Sequence, residues 1–126
     1  MAIVGIGTDI IEIERIETAL RRSDRMARRV LTELEFDQFR QHRYPARFLA
    51  KRFAAKEAAV KAIGNGIGNG VSFKQVEISH GSLGEPYLTF YGQMQSICEQ
   101  RGVTRSFISI SDEQYYAVAT VVLESV

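Results

Sequence analysis

Phe53-Ala54-Ala55-Lys56-Glu57-Ala58-Ala59-Val60-Lys61 sets an acid and a base on the side of a helix that should be apolar. With Glu57 as origin and about 100° per residue, Ala46, Leu49, Ala50, Phe53, Ala54 and Val60 fall within roughly 80° of it, and Lys61 at about 40°. Burying an unpaired carboxylate or ammonium is costly, so a sequence selected for folding alone would rarely choose Glu and Lys there. The simpler reading is an i,i+4 ion pair on a solvated face, contributing a few tenths of a kcal/mol.

The N-terminus bears on that choice. Ala2-Ile3-Val4-Gly5-Ile6-Gly7-Thr8-Asp9-Ile10-Ile11 is a nearly continuous run of strand-forming residues with one acid near its end, a pattern that predicts a strand covered on both faces. Gly5 and Gly7 lie on the same side as Asp9, so another backbone or a ligand can approach closely there. A lone Asp closing a strand commonly caps a helix, but Ile10-Ile11 separate Asp9 from the helix that follows, and the cap fits poorly. Asp9 and Glu57 together supply two carboxylates from distant segments, hard oxygen ligands suited to Mg²⁺ once a phosphate completes the shell. No His or Cys cluster competes for a softer metal.

Length and composition bound the rest. A chain of 126 residues, 45% hydrophobic and 25% charged, has an ordinary globular composition and suits one domain spanning 1–126. The single Cys98 has no partner and reads as a packing residue in a reducing compartment. No stretch approaches a membrane span, and the apolar start lacks the basic region and cleavage site of a leader, so a cytoplasmic location is expected.

The net charge is only +1, but residues 15–61 hold 13 of the 16 Lys and Arg against 6 of the 15 acids. Arg21-Arg22-Ser23-Asp24-Arg25-Met26-Ala27-Arg28-Arg29 is the densest part, with five Arg and one acid. It reads as a solvated face or as a surface for an acidic partner, and Arg favours planar carboxylate or phosphate contacts.

The order of elements follows from period and punctuation. A helix over Glu12 to Arg22 carries Ile13, Ile16 and Leu20 on one face. Ser23 starts a short second helix, and Thr32-Glu33-Leu34-Glu35 forms a capping box for a third. Pro45 suits the first turn of a long helix to Ile63, closed by Gly64-Asn65-Gly66-Ile67-Gly68-Asn69-Gly70. Val71 to Ser79 and Tyr87 to Tyr91 alternate as strands around the His80–Pro86 turn. A helix over Gln93 to Arg101 and a hairpin of Ser106–Ser111 with Tyr115–Leu123 complete the chain. The order predicts an α+β fold with helices packed on an antiparallel sheet.

The glycine loop is first of all a helix C-cap with positive φ at or near Gly64. Four glycines exceed what a cap requires, so close approach to a flat or phosphorylated ligand is a second reading. It is not a Walker loop, because no Gly-Lys-Ser/Thr follows. A helix C-terminus repels phosphate, leaving Lys61, one turn earlier, as the compensating cation. His42 and His80 read as surface residues.

With these residues in hand, the chain resembles the bacterial holo-acyl-carrier-protein synthases, the short trimeric branch of the 4′-phosphopantetheinyl transferases, over essentially its whole length. Gly5-Ile6-Gly7-Thr8-Asp9-Ile10 and Arg52-Phe53-Ala54-Ala55-Lys56-Glu57-Ala58-Ala59-Val60-Lys61-Ala62 look like the two signature motifs at the expected separation, and Gly64-Asn65-Gly66-Ile67 and Gly84-Glu85-Pro86 also match. The resemblance implies transfer of the phosphopantetheine arm of coenzyme A to a serine of apo-acyl carrier protein in fatty acid biosynthesis, releasing adenosine 3′,5′-bisphosphate. By motif position, Asp9 and Glu57 would hold Mg²⁺, Lys61 would meet a phosphate oxygen, Gly64, Asn65, Gly66 and Pro86 would border the nucleotide, and Arg52 would reach its 3′-phosphate. Arg15, Arg21, Arg22, Arg25, Met26 and Arg28 would dock the acidic carrier protein, and the working unit would be a homotrimer with sites between subunits. Phe107, Ile108, Val118 and Val121 are apolar strand residues available for that contact.

Many members carry His where this chain has Asp112, so a phosphate contact assigned to that His does not transfer. The base for the serine proton stays open between Glu57, a metal-bound water and an acid of the carrier protein. The alternative is an Arg-rich nucleic-acid or acidic-protein binding module without catalysis. It leaves Asp9 and Glu57 unexplained and has no nucleic-acid-binding motif to support it, so neither nucleic acid nor membrane is expected as a partner.

Overall fold

The computed structural model describes residues 1–126. Strand β1 (Ala2–Glu12) runs into helices α1 (Ile13–Arg22), α2 (Arg25–Val30), α3 (Glu33–Gln41) and the long α4 (Pro45–Ala62). A turn of 3₁₀ helix at Phe73–Gln75 leads to the hairpin β2 (Val76–His80) and β3 (Pro86–Phe90). Helix α5 (Gly92–Gln100) and the hairpin β4 (Val103–Asp112) and β5 (Tyr116–Ser125) follow. The α+β expectation holds: β1, β5 and β4 form one antiparallel sheet with β5 central, β2 and β3 a second, and the helices pack on them.

Local chemistry explains most boundaries. Thr32 Oγ1 accepts from Glu35 N while Glu35 Oε1 accepts from Thr32 N, the reciprocal box that starts α3. Pro45 opens α4, where its missing N–H costs nothing. Gly64 closes α4 at φ 75°, its N–H bonded to Lys61 O at 2.9 Å. The strand expected from Val71 begins only at Val76, because Phe73–Gln75 form a turn.

Helix α4 is the centre of the molecule. Its buried residues, Phe48, Leu49, Ala50, Arg52, Ala54, Ala55, Lys56, Ala58, Ala59, Val60 and Ala62, encircle the axis instead of forming one stripe. The alanines let β1 come close: a β-carbon on Gly5 would overlap the carbonyl oxygen of Ala62, and one on Gly7 that of Ala58. The bulky neighbour of those two glycines is therefore a helix backbone.

Two expectations are corrected here. Within the chain β1 is covered on one face only: Gly7, Asp9 and Ile11 face α4, while Ile6 and Ile10 stand 66% and 64% exposed. The register sets Ile6, Val122 and Phe107 in one row across the three strands, and Ile10 beside Val118 in another. Ile108 and Val121 belong to the opposite, core-facing side, so of the four apolar strand residues only Phe107 and Val118 lie on the open face.

Candidate active site

The strand and the helix that carry the two motifs lie against each other, and this contact assembles the site. Lys61 Nζ donates to Asp9 Oδ1 at 2.9 Å and to Thr8 O at 3.1 Å, tying α4 to β1 across 52 residues of sequence. Glu57, one turn before Lys61, shares a cleft of about 450 Å³ with Asp9, walled further by Arg15, Ile16, Met26 and Phe53. Burial raises the Glu57 pKa, and the Asp9 carboxylate pushes it the same way, against the opposing pull of Lys61 and Arg29.

A divalent cation suits this pair. Two carboxylates repelling each other in a half-buried cleft gain from a shared positive charge, and no set of three or more His, Cys, Asp or Glu gathers anywhere in the chain. The protein thus offers two hard oxygen groups and leaves the rest of a coordination shell to water or substrate, the manner in which Mg²⁺ is commonly held beside phosphates.

The remaining predicted residues divide. Arg15 and Met26, named for partner docking, line the same cleft as Asp9 and Glu57. Arg21 lines a different groove, with Glu17, Leu20 and Tyr44. Arg22 and Arg25 are exposed beside the α1–α2 junction, and Arg28 is occupied by Asp24 at 2.8 Å and stacks over Phe36. Gly64, Asn65 and Gly66 follow Lys61 at the end of α4, outside the walls of the Asp9 cleft.

Arg52 is also elsewhere. It is 4% exposed and lines a second cavity of about 410 Å³ with Gln38, His42, Arg47, Lys51 and His80. Pro86 pairs across the hairpin with His80, at the border of this cavity. His42 and His80, though solvent-exposed as read from the sequence, help to wall it.

Asp112 lies against two of the basic residues: Arg47 donates to it at 2.7 Å and Lys51 stands 3.4 Å away. Partial burial would raise its pKa, but these two cations outweigh burial and hold it below the usual range.

Sequence reasoning missed the most deeply buried charges. Lys56 and Glu35 are both fully inaccessible and meet at 2.5 Å. The helical-wheel argument singled out Glu57 and Lys61, yet Lys61 is half exposed and Lys56, on another side of α4, is the lysine in the core. The available signal was Thr32-x-x-Glu35, read only as a cap. Arg29 was likewise not singled out, although its charge reaches Glu57 and its guanidinium covers Phe73.

The model of the 4′-phosphopantetheinyl transferase superfamily matches residues 5–121. The chain belongs to that superfamily. It is 62% identical over 125 residues to a holo-[acyl-carrier-protein] synthase of Pseudoalteromonas atlantica, covering 99% of each chain. Its identity to that of Alteromonas mediterranea is 59% over 126 residues, covering all of both. Its fold superposes on the Neisseria meningitidis synthase with a TM-score of 0.90 at 44% identity, covering 98% of this chain and 100% of the other. The Bacillus anthracis synthase, solved in complex with CoA (3′,5′-ADP), gives 0.82 at 41% identity, covering 98% of both. As a phosphopantetheinyl transferase the chain carries the motifs around Asp9 and Glu57 inside the matched span.

Proposed function

We propose that this chain is a holo-acyl-carrier-protein synthase, a single domain spanning 1–126 that moves the 4′-phosphopantetheine group of coenzyme A onto a serine of apo-acyl carrier protein. The observation that carries the reading is the meeting of Asp9, Glu57 and Lys61 where β1 crosses α4. The curated relatives bearing that enzyme name are similar over the full length. The binding-module alternative has no such support.

In the transfer, the serine oxygen forms a bond to the pantetheine-side phosphorus, the bond from that phosphorus to the bridging oxygen breaks, and adenosine 3′,5′-bisphosphate leaves with the electron pair. The serine proton is lost in the same step. Asp9 and Glu57 would hold Mg²⁺, which when bound neutralises charge on the pyrophosphate. Lys61, already beside Asp9, offers an ammonium to a phosphate oxygen and offsets the repulsive C-terminal end of α4. Glu57, in the cleft beside Asp9, is this chain's candidate acceptor for that proton. Gly64, Asn65, Gly66 and Pro86 would border the nucleotide, and Arg52 would face its 3′-phosphate from the basic cavity.

Carrier docking is assigned to Arg15, Arg21, Arg22, Arg25, Met26 and Arg28. Its support is the sharing of one cleft by Arg15 and Met26 with Asp9 and Glu57, which would bring a bound carrier to the reacting phosphate. A homotrimer would cover the open sheet face of Ile6, Ile10 and Phe107. No helix is long and apolar enough to cross a membrane, and the unpaired Cys98 accords with work in the cytoplasm.

Mass spectrometry of apo carrier protein incubated with the chain, coenzyme A and Mg²⁺ tests the reading. Gain of the phosphopantetheine mass on serine is expected; no modification at saturating coenzyme A would refute it.

A further inference from the structure

The basic cavity beside α4 is walled in part by a buried arginine. Arg52 is almost entirely buried, and of its five N–H donors only one makes a hydrogen bond, Nη2 to Gln38 Oε1 at 3.4 Å. Its Nε is buried without a hydrogen-bond partner. The remaining titratable walls of the cavity are His42, Arg47, Lys51 and His80. The acids nearby are Asp112, which pairs with Arg47 and Lys51, and Glu85, which acts on His80.

Beneath Arg52 lies Glu35, whose surroundings are fully specified. Its Oε1 accepts from Thr32 N at 2.9 Å and from Lys56 Nζ at 2.5 Å, and its Oε2 accepts from Ile78 N at 3.0 Å. The same Oε2 stands 3.5 Å from Arg52 Nε. Lys56 is locked in turn by Val30 O at 2.7 Å. One buried carboxylate therefore joins α3, α4 and β2 and serves two buried cations.

We propose that Glu35 is the positioning residue for Arg52, holding the guanidinium at its Nε edge through the 3.5 Å ion pair while the guanidinium stacks over the Phe48 ring, its Cζ 4.4 Å from the ring centroid, so that the unused Nη donors are kept at the cavity wall for an anion. A guanidinium lacking this anchor would keep its charge but lose the fixed orientation that a multi-donor phosphate contact needs. The inference rests on the assignment of Arg52 to the 3′-phosphate of coenzyme A. Glu35 touches no substrate and acts only through Arg52.

The test compares coenzyme A with 3′-dephospho-coenzyme A as substrates for the wild type, Arg52→Ala, Glu35→Gln and Glu35→Asp. Glu35→Gln should raise KM for coenzyme A by about tenfold while kcat and KM for the dephospho form stay within about twofold. Glu35→Asp, which keeps the charge but withdraws it, should give a smaller loss of the same selective kind. A discrimination ratio that stays at the wild-type value in whichever Glu35 variant folds overturns the proposal, as does failure of both variants to fold, which would make the carboxylate's role purely structural. Arg52→Ala separates the two layers: if it weakens both substrates equally, the placement of Arg52 at the 3′-phosphate is wrong. If it is selective and the Glu35 variants are not, only the positioning role falls.

Discussion

Gly7 faces Ala58 so closely that a β-carbon on the glycine would overlap the Ala58 carbonyl oxygen and stand 2.7 Å from Ala62 N. The obstacle is helix backbone, which cannot swing aside as a side chain would. Gly7→Ala must push β1 away from α4 two residues before Asp9. Overpacking of this kind costs about 1–3 kcal/mol, and the shift separates Asp9 from Glu57 and Lys61. A lowered melting temperature and a fall in kcat of at least about tenfold are expected from calorimetry and single-turnover assays. A variant with wild-type kcat would show that the Asp9–Glu57 distance is not critical.

Asp9→Asn and Glu57→Gln should each lower turnover by about 10³-fold or more with the fold intact, since each removes a hard ligand from the proposed Mg²⁺ site. Circular dichroism establishes the fold and Mg²⁺ titration the defect. Near-normal activity at saturating Mg²⁺ would sink the assignment.

The ion pairs of Asp112 predict a pH dependence. Its folded pKa lies below the unfolded value, so the stability it contributes is present above the ordinary Asp pKa of about 3.9 and is lost as pH falls through the depressed value. Asp112→Asn should therefore be slightly less stable than wild type near neutral pH, by up to about 1 kcal/mol for so exposed a pair. The two should converge in acid. Urea unfolding at several pH values checks the sign, and a difference that widened on acidification would contradict it.

Lys56→Met leaves Glu35 buried without its closest cation, and breaking a buried pair on one side costs about 3–5 kcal/mol. The variant should unfold at markedly lower urea concentration. Equal stability would mean that the Thr32, Ile78 and Arg52 groups satisfy the carboxylate unaided.

Arg21→Glu combined with Arg25→Glu should raise KM for the carrier protein by at least about tenfold, equivalent to ~1.4 kcal/mol, and wild-type KM should climb with salt. Neither residue walls the Asp9–Glu57 cleft, so KM for coenzyme A should hardly change. An unchanged carrier KM, measured by initial rates, would reduce this surface to a solvated face.

Local rules carry far along this chain. The Thr32–Glu35 box, Pro45 at the start of α4 and Gly64 at its end each act within a few residues, so their outcome is written in the neighbouring letters. The residue types at Asp9 and Glu57 pointed to charge chemistry, but that the two share a cleft is decided by the packing of β1 on α4. Depth of burial was not written locally. Helix α4 is enclosed by a sheet on one side and by other helices and the second hairpin on others, so a wheel drawn for one apolar stripe could not tell that Lys56 is in the core and Lys61 beside the site. Nor could alternation tell which face of β1 stays open, because that depends on where α4 lies. Lys56 meets Glu35 across 21 residues, and Glu35 meets Ile78 across 43, through contacts that exist only once the elements have packed.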